Sequence, residues 1–144
     1  MPQELTLAPS ILVVERFSRN GTTGNVSLHN IIGRFLFRHF PAKSGGFFVI
    51  TGVTNLRGYV DSVVVGCRIE APGDSAPAAE SSITVNIPKS AQPCDPNVTL
   101  DAYFPFDKVE FRQPGQYWVV VTVNGQELGR RPLKVMQVSA TVTR

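Results

Sequence analysis

Pro114-Gly115-Gln116-Tyr117-Trp118-Val119-Val120-Val121-Thr122-Val123-Asn124-Gly125 is the stretch that decides the fold class. A Pro-Gly turn feeds a β-rich run, and Asn-Gly then sends the chain back toward Leu133 and Val135. Asn and Gly both tolerate the positive φ of a type I′ turn, so Asn-Gly between apolar runs is a strong hairpin signal. The chain therefore reads as an antiparallel β protein closing on a C-terminal hairpin.

Working outward, the run from Tyr59 alternates: Tyr59, Val63, Val65, Cys67 and Ile69 fall on one face, with Ser62, Gly66, Arg68 and Glu70 on the other. Period-two patterning of this kind predicts a half-buried antiparallel strand. Ile83, Val85 and Ile87 repeat it, as do Val98, Leu100, Ala102, Phe104 and Phe106. Further runs lie at Leu5 to Leu7, Ile11 to Phe17, Val26 to Leu28, Gly33 to Arg38 and Phe47 to Val53. Pro9 interrupts the first pair of runs, since proline cannot donate to a central ladder. Leu28 to Phe40 is given room for one helical turn. The Ala/Pro/Ser/Gly-rich stretch 71–82 and the Pro-rich stretch 88–97 are expected to be mobile loops, with residues 139–144 a β-prone tail.

These runs amount to roughly eight or nine strands with turn signals every ~8–12 residues, the pattern of an all-β, immunoglobulin-like antiparallel sandwich. The 144 residues form a single domain with room for a hydrophobic core. Gly115-Gln116-Tyr117 resembles the tyrosine corner of such sandwiches. Val119 stands where an antibody domain would carry its disulfide cysteine.

The order of landmarks resembles a family of small uncharacterised bacterial proteins. The pieces that carry it are Leu5-Thr6-Leu7-Ala8, Gly24 through Phe35, Phe40-Pro41, Pro114 through Tyr117, Val123-Asn124-Gly125 and Arg131-Pro132-Leu133-Lys134-Val135. The resemblance implies a β-sandwich and carries no activity, cofactor or site residue.

Charged residues are 17% of the chain, against about 25% in an average globular protein. The net charge is +3, mildly basic and without the clustered cations of a dedicated nucleic-acid binder. Two cysteines do not make a disulfide framework. No apolar run reaches the ~18 residues of a membrane span, and Met1-Pro2-Gln3-Glu4 lacks the basic and apolar regions of a secretory leader. The expected setting is cytoplasmic.

Chemistry finds little support in the motifs. His29 and His39, and Cys67 and Cys94, lack metal-ligand spacing, so neither a metal nor a cofactor is expected. Cys94 precedes Asp95, whose charge disfavours a thiolate. The carboxylate pairs Asp101 with Asp107 and Asp61 with Glu70 have no supporting context and read as surface charge. No catalytic residue is assigned. In Arg34-Phe35-Leu36-Phe37-Arg38, alternation points the rings inward and the arginines to water, whereas single-strand binding needs both on one surface.

Two strands carry a second apolar face: Trp118 and Val120 oppose Tyr117 and Val119, and Phe48 and Ile50 oppose Phe47 and Val49. A sandwich strand needs only one. The second must be covered by a loop, with 71–82 and 88–97 the candidates, or by another chain. The expected function is thus a non-enzymatic interaction or structural subunit, self-associating or part of a larger assembly, with interface residues Trp118, Val120, Phe48 and Ile50. Three alternatives remain: a nucleic-acid module using Arg34, Arg38, Arg57, Arg130 and Arg131, a small-ligand binder at a loop-rich end near Asp61, Cys94 or Asp107, and a viral or phage structural protein.

Overall fold

Asn124 and Gly125 adopt φ of 50° and 85°, the left-handed pair that a type I′ turn demands. They join two strands paired from Gly115↔Val135 to Val123↔Gln126. The structure, a computed structural model, describes residues 6–7, 11–73 and 76–139. Among these, the first six strands are β1 (Thr6–Leu7), β2 (Leu12–Arg19), β3 (Val26–Ile31), β4 (Arg34–Phe37), β5 (Ala42–Lys43) and β6 (Phe47–Thr54). The second six are β7 (Ser62–Glu70), β8 (Pro77–Asn86), β9 (Leu100–Phe106), β10 (Glu110–Phe111), β11 (Gly115–Val123) and β12 (Gln126–Gln137).

The strands form two five-stranded sheets and a small β5–β10 ladder. In the first sheet, sheet A, β9 lines one edge of β6, while β1 and β2 pair with the two halves of the other edge. β3 follows β2. Sheet B has the order β4-β12-β11-β7-β8. Its β4–β12 ladder is parallel, an exception to the expected all-antiparallel pairing. The fold is all-β and immunoglobulin-like. The phenolic hydroxyl of Tyr117 donates to the carbonyl of Gln113 at 2.7 Å, which completes a tyrosine corner.

The core lies between the sheets. Val63, Val65, Cys67 and Ile69 face it as their alternation predicts, and so do Ala102, Phe104 and Phe106. Phe35 and Phe37 also point inward. Their rings stand 5.2 and 5.8 Å from that of Phe111, which meets Tyr117 at 5.1 Å. Thr51 is buried on β6, and its Oγ1 is the one buried side-chain polar atom with no hydrogen-bond partner among the described residues. An unpaired buried hydroxyl is a net cost. Thr51→Val, which swaps the hydroxyl for a methyl of the same shape, should raise stability by about 1 kcal/mol in urea unfolding. A loss of stability would show that the hydroxyl has a partner.

Four local expectations are corrected. Residues 77–82 belong to β8, not to a loop, because their backbone pairs with β7 through registers such as Cys67↔Ser81. Small residues suit this edge position, although their composition reads as loop. Leu28 to Phe40 holds parts of β3 and β4 and no helical turn. Tyr59 precedes β7 and is 81% exposed, so the apolar face of that strand begins at Val63. The stretch 88–97 is tied down: Gln92 bonds both the N–H and the C=O of Val60, and the Cys94 N–H donates to the Gly58 carbonyl. Residues 140–144 of the expected tail lie outside the described residues.

Candidate functional site

Among the described residues, parts of both second apolar faces are covered by side chains of neighbouring strands. On sheet A the ring of Phe17, from β2, reaches past β6 to stack on Tyr103 of β9 at 4.7 Å, and meets Phe48 edge-on at 5.0 Å. The Arg19 guanidinium lies over the same Tyr103 ring. On the same sheet Ile50, between its cross-strand neighbours Leu12 and Tyr103, is only 8% exposed, and Val14 is fully buried. Ile50 is therefore not an interface residue, and Phe48 is half-buried against Phe17.

On the outer face of sheet B, Val120 is paired with Arg68 on β7 and Arg130 on β12. Their long stems lie beside it, and a network of ion pairs holds them there. Arg130 grips Glu127 through two bonds of 2.8 Å and reaches Glu70 at 3.5 Å. Arg68 bonds Glu70 at 2.8 Å. Aliphatic stems of arginine cover apolar surface readily, and Val120 is 0% exposed. This corrects its assignment as a contact residue. The hydrogen bond from Arg130 holds the Glu127 carboxyl below its ordinary range, with the charges of Arg130 and Arg68 adding to it.

A β-bulge makes this network. Val121 pairs with Gly129 and Thr122 with Glu127, so Leu128 is the extra residue. Without it, Glu127 and Arg130, three apart, would point to opposite faces. Gly129 inside a strand was the available signal, since glycine there often marks a bulge.

Trp118 sits at the margin of the network. It is half-buried, paired with Glu70 and Pro132, with the Arg130 guanidinium 5.5 Å above its ring. Beyond the exposed Pro132, the outer face continues through Lys134 and Met136 to their β4 neighbours Arg34 and Leu36. Leu36 is 48% exposed. Among the described residues, neither Arg34 nor Lys134 has a carboxylate within salt-bridge distance.

The five arginines of the nucleic-acid alternative do not converge. Arg34 and Arg38 lie at and just beyond β4, beside the C-terminal half of β12. Arg57 is in the β6–β7 connection at the opposite end of the sandwich. Arg130 is neutralised in the network. Arg131 pairs with the core-facing Val119 and donates to the Ile11 carbonyl at 2.7 Å, closing the seam between the sheets. The aromatic partners Phe35 and Phe37 are turned into the core.

At the Asn124 end, a mostly apolar cleft of about 290 Å³ is lined by Leu56, Ile87, Val98, Leu100 and Cys94 among others. Cys94 belongs to it; Asp61 and Asp107 do not. Both cysteines are free, and burial pushes the Cys67 thiol up to about 12, which keeps it neutral and inert. His29 approaches the Ser18 hydroxyl at 3.4 Å, while His39 is exposed. Among the described residues no three His, Cys, Asp or Glu side chains are grouped to hold a metal.

Residues 18–136 match the model of DUF6941, a family of unknown function. The chain belongs to that family. No protein of curated function matches it significantly. An alkylpurine DNA glycosylase from Pseudomonas fluorescens, solved on DNA containing an abasic-site analogue, shares 11% identity at a TM-score of 0.49. That similarity covers 93% of this chain but only 31% of the glycosylase chain. An immunoglobulin-like protein from Pseudomonas aeruginosa shares 10% identity at a TM-score of 0.43, over 92% of this chain and 96% of its own. At such identities the likeness is one of chain path alone. No helix among the described residues of this DUF6941 member is long and apolar enough to cross a membrane.

Proposed function

We propose that this DUF6941 member is a non-enzymatic interaction subunit that docks a partner protein on the outer face of sheet B. Trp118 carries the reading. It is the chain's single tryptophan, half-buried on a five-stranded sheet and held from one side by the ion network. Tryptophan and arginine are the residue types that dominate interface energetics. The surface next to it combines apolar Pro132, Met136 and Leu36 with the unneutralised Arg34 and Lys134. A partner of matching chemistry presents an apolar side chain flanked by carboxylates. The two free cysteines fit a reducing compartment, and we place the subunit in the cytoplasm.

Trp118→Ala tests this. Val120 and the core stay covered, so the variant should remain folded and lose only a small part of its melting temperature. Immobilised wild type and variant would be compared for capture of proteins from the source cell, with mass-spectrometric quantitation. Loss of a hot-spot tryptophan costs about 2 kcal/mol or more, roughly a thirtyfold fall in affinity. A partner depleted to that degree on Trp118→Ala, and released by moderate salt, is the expected result. Equal capture of every protein by a folded variant would remove Trp118 from the interface.

A further inference from the structure

The outermost strand of sheet B offers a second contact surface of a different kind. β8 is ten residues long and, among the described residues, pairs only with β7. Native edge strands are usually blunted by lysines, prolines, bulges or brevity. From Ala78 to Asn86 β8 has no proline and a single charge, Glu80. Its only irregularity lies at the Ile69/Glu70 end of its ladder with β7.

The direction of its free backbone groups follows from β7. The Val64 carbonyl accepts from the Asn124 N–H at 2.8 Å, and the Val64 N–H donates to the Asn124 side chain at 3.0 Å. Val64 therefore faces β11, and the alternate residues Val63, Val65 and Cys67 face β8. Their partners Val85, Ile83 and Ser81 point back at β7. The N–H and C=O groups of Glu80, Ser82, Thr84 and Asn86 then point outward from the sheet.

We propose that β8 pairs antiparallel with β8 of a second copy about a two-fold axis through Ser82, which joins two copies of sheet B into one continuous sheet. Every register centred on a residue sets outward groups against outward groups, and charge and the strand ends choose among the five from Glu80 to Thr84. Centring on Ser81 brings the irregular Ala78 into the ladder against Thr84, and centring on Ile83 sets Ala78 against Pro88 of the second copy, which has no N–H. Centring on Glu80 opposes two carboxylates. Centring on Thr84 sets Glu80 against Pro88 of the second copy, which has no N–H. Centring on Ser82 sets Glu80 against Thr84 and two small hydroxyls against each other, and leaves only Asn86 opposite the irregular Ala78. It also uses the full strand. Such self-complementarity is what a two-fold interface requires. This surface is separate from the Trp118 face, so either assignment can fail without the other.

The test is light scattering on the full chain across a concentration series. Wild type should approach twice the monomer mass as concentration rises. Ser82→Pro removes an N–H that no strand of the same chain uses, and proline is tolerated at such edge positions. It should stay folded while dimer dissociation rises about tenfold or more, because each copy loses a hydrogen bond at the axis. Should Ser82→Pro fail to fold, Thr84→Glu does the same work by setting a carboxylate against Glu80 of the second copy. The register is read in a Cys94→Ser background under mild oxidation. Ser82→Cys should give a disulfide-linked dimer, whereas Glu80→Cys, whose cross-axis neighbour is Thr84, should not. A wild type that stays monomeric at the highest concentration overturns the proposal. So does a dimer indifferent to the folded Ser82→Pro or Thr84→Glu variant, or Glu80→Cys cross-linking better than Ser82→Cys.

Discussion

Phe111→Ala should lower the unfolding free energy by about 3–5 kcal/mol, the cost of deleting a fully buried phenylalanine. Phe111 is 0% exposed and its ring touches those of Phe35, Phe37 and Tyr117. It also sits in the two-residue β10 that pairs with β5. Its removal therefore opens a cavity at the place where β4, the β5–β10 ladder and the tyrosine corner meet. Neighbouring strands fix the surrounding rings, so little collapse into the gap is expected. Urea unfolding followed by Trp118 fluorescence and by far-ultraviolet circular dichroism would measure the loss. A cost below about 1.5 kcal/mol would mean that the surrounding rings relax into the space and that β4 is anchored elsewhere.

The second large effect is electrical. Val120→Lys should cost about 3–5 kcal/mol, the penalty typical of an uncompensated buried charge. Its ammonium would emerge between Arg68 and Arg130, its cross-strand neighbours. Val120→Glu places a carboxylate in the same position, facing two guanidiniums, and should cost markedly less although its side chain is no less polar. Denaturant midpoints of the two variants decide the matter. Equal losses would mean that shape, not charge, governs the roof over Val120. A pH series adds a sign. Glu127 is held below its unfolded pKa, so what it contributes is present above that value and fades as pH falls through the lower, folded one. Val120→Lys should therefore worsen further in acid, as the Glu127 carboxylate that restrains Arg130 is protonated.

The contrast between Val120 and Trp118 marks where sequence reading stops. Both fall on the second apolar face of β11, and alternation treats them alike. Val120 is buried because Arg68 and Arg130 flank it and Glu70 and Glu127 hold them in place. Trp118, two residues earlier, lies at the margin of that network and keeps part of its ring in solvent. The arrangement depends on a bulge at Leu128 and on which strands are neighbours. Phe48 tells a similar story on sheet A, where Phe17, distant in sequence, packs against it edge-on. The first half of β8, residues 77–82, read as loop for a different reason: Ala and Ser are poor strand formers, and the ladder to β7 rather than local preference extends the strand that Ile83 and Val85 announce.

By itself the sequence determined the features that depend on one residue's φ or on a period of two. These are the Asn124-Gly125 turn, the tyrosine corner at Tyr117, the inward faces of β7 and β9, and the burial of Phe35 and Phe37. Only the tertiary structure decided which outward side chains remain at the surface, which arginines are neutralised and which strand ends a sheet. Turn conformation and alternation are set by sterics within a few residues. Cover and charge pairing are set by the register between strands far apart in the chain.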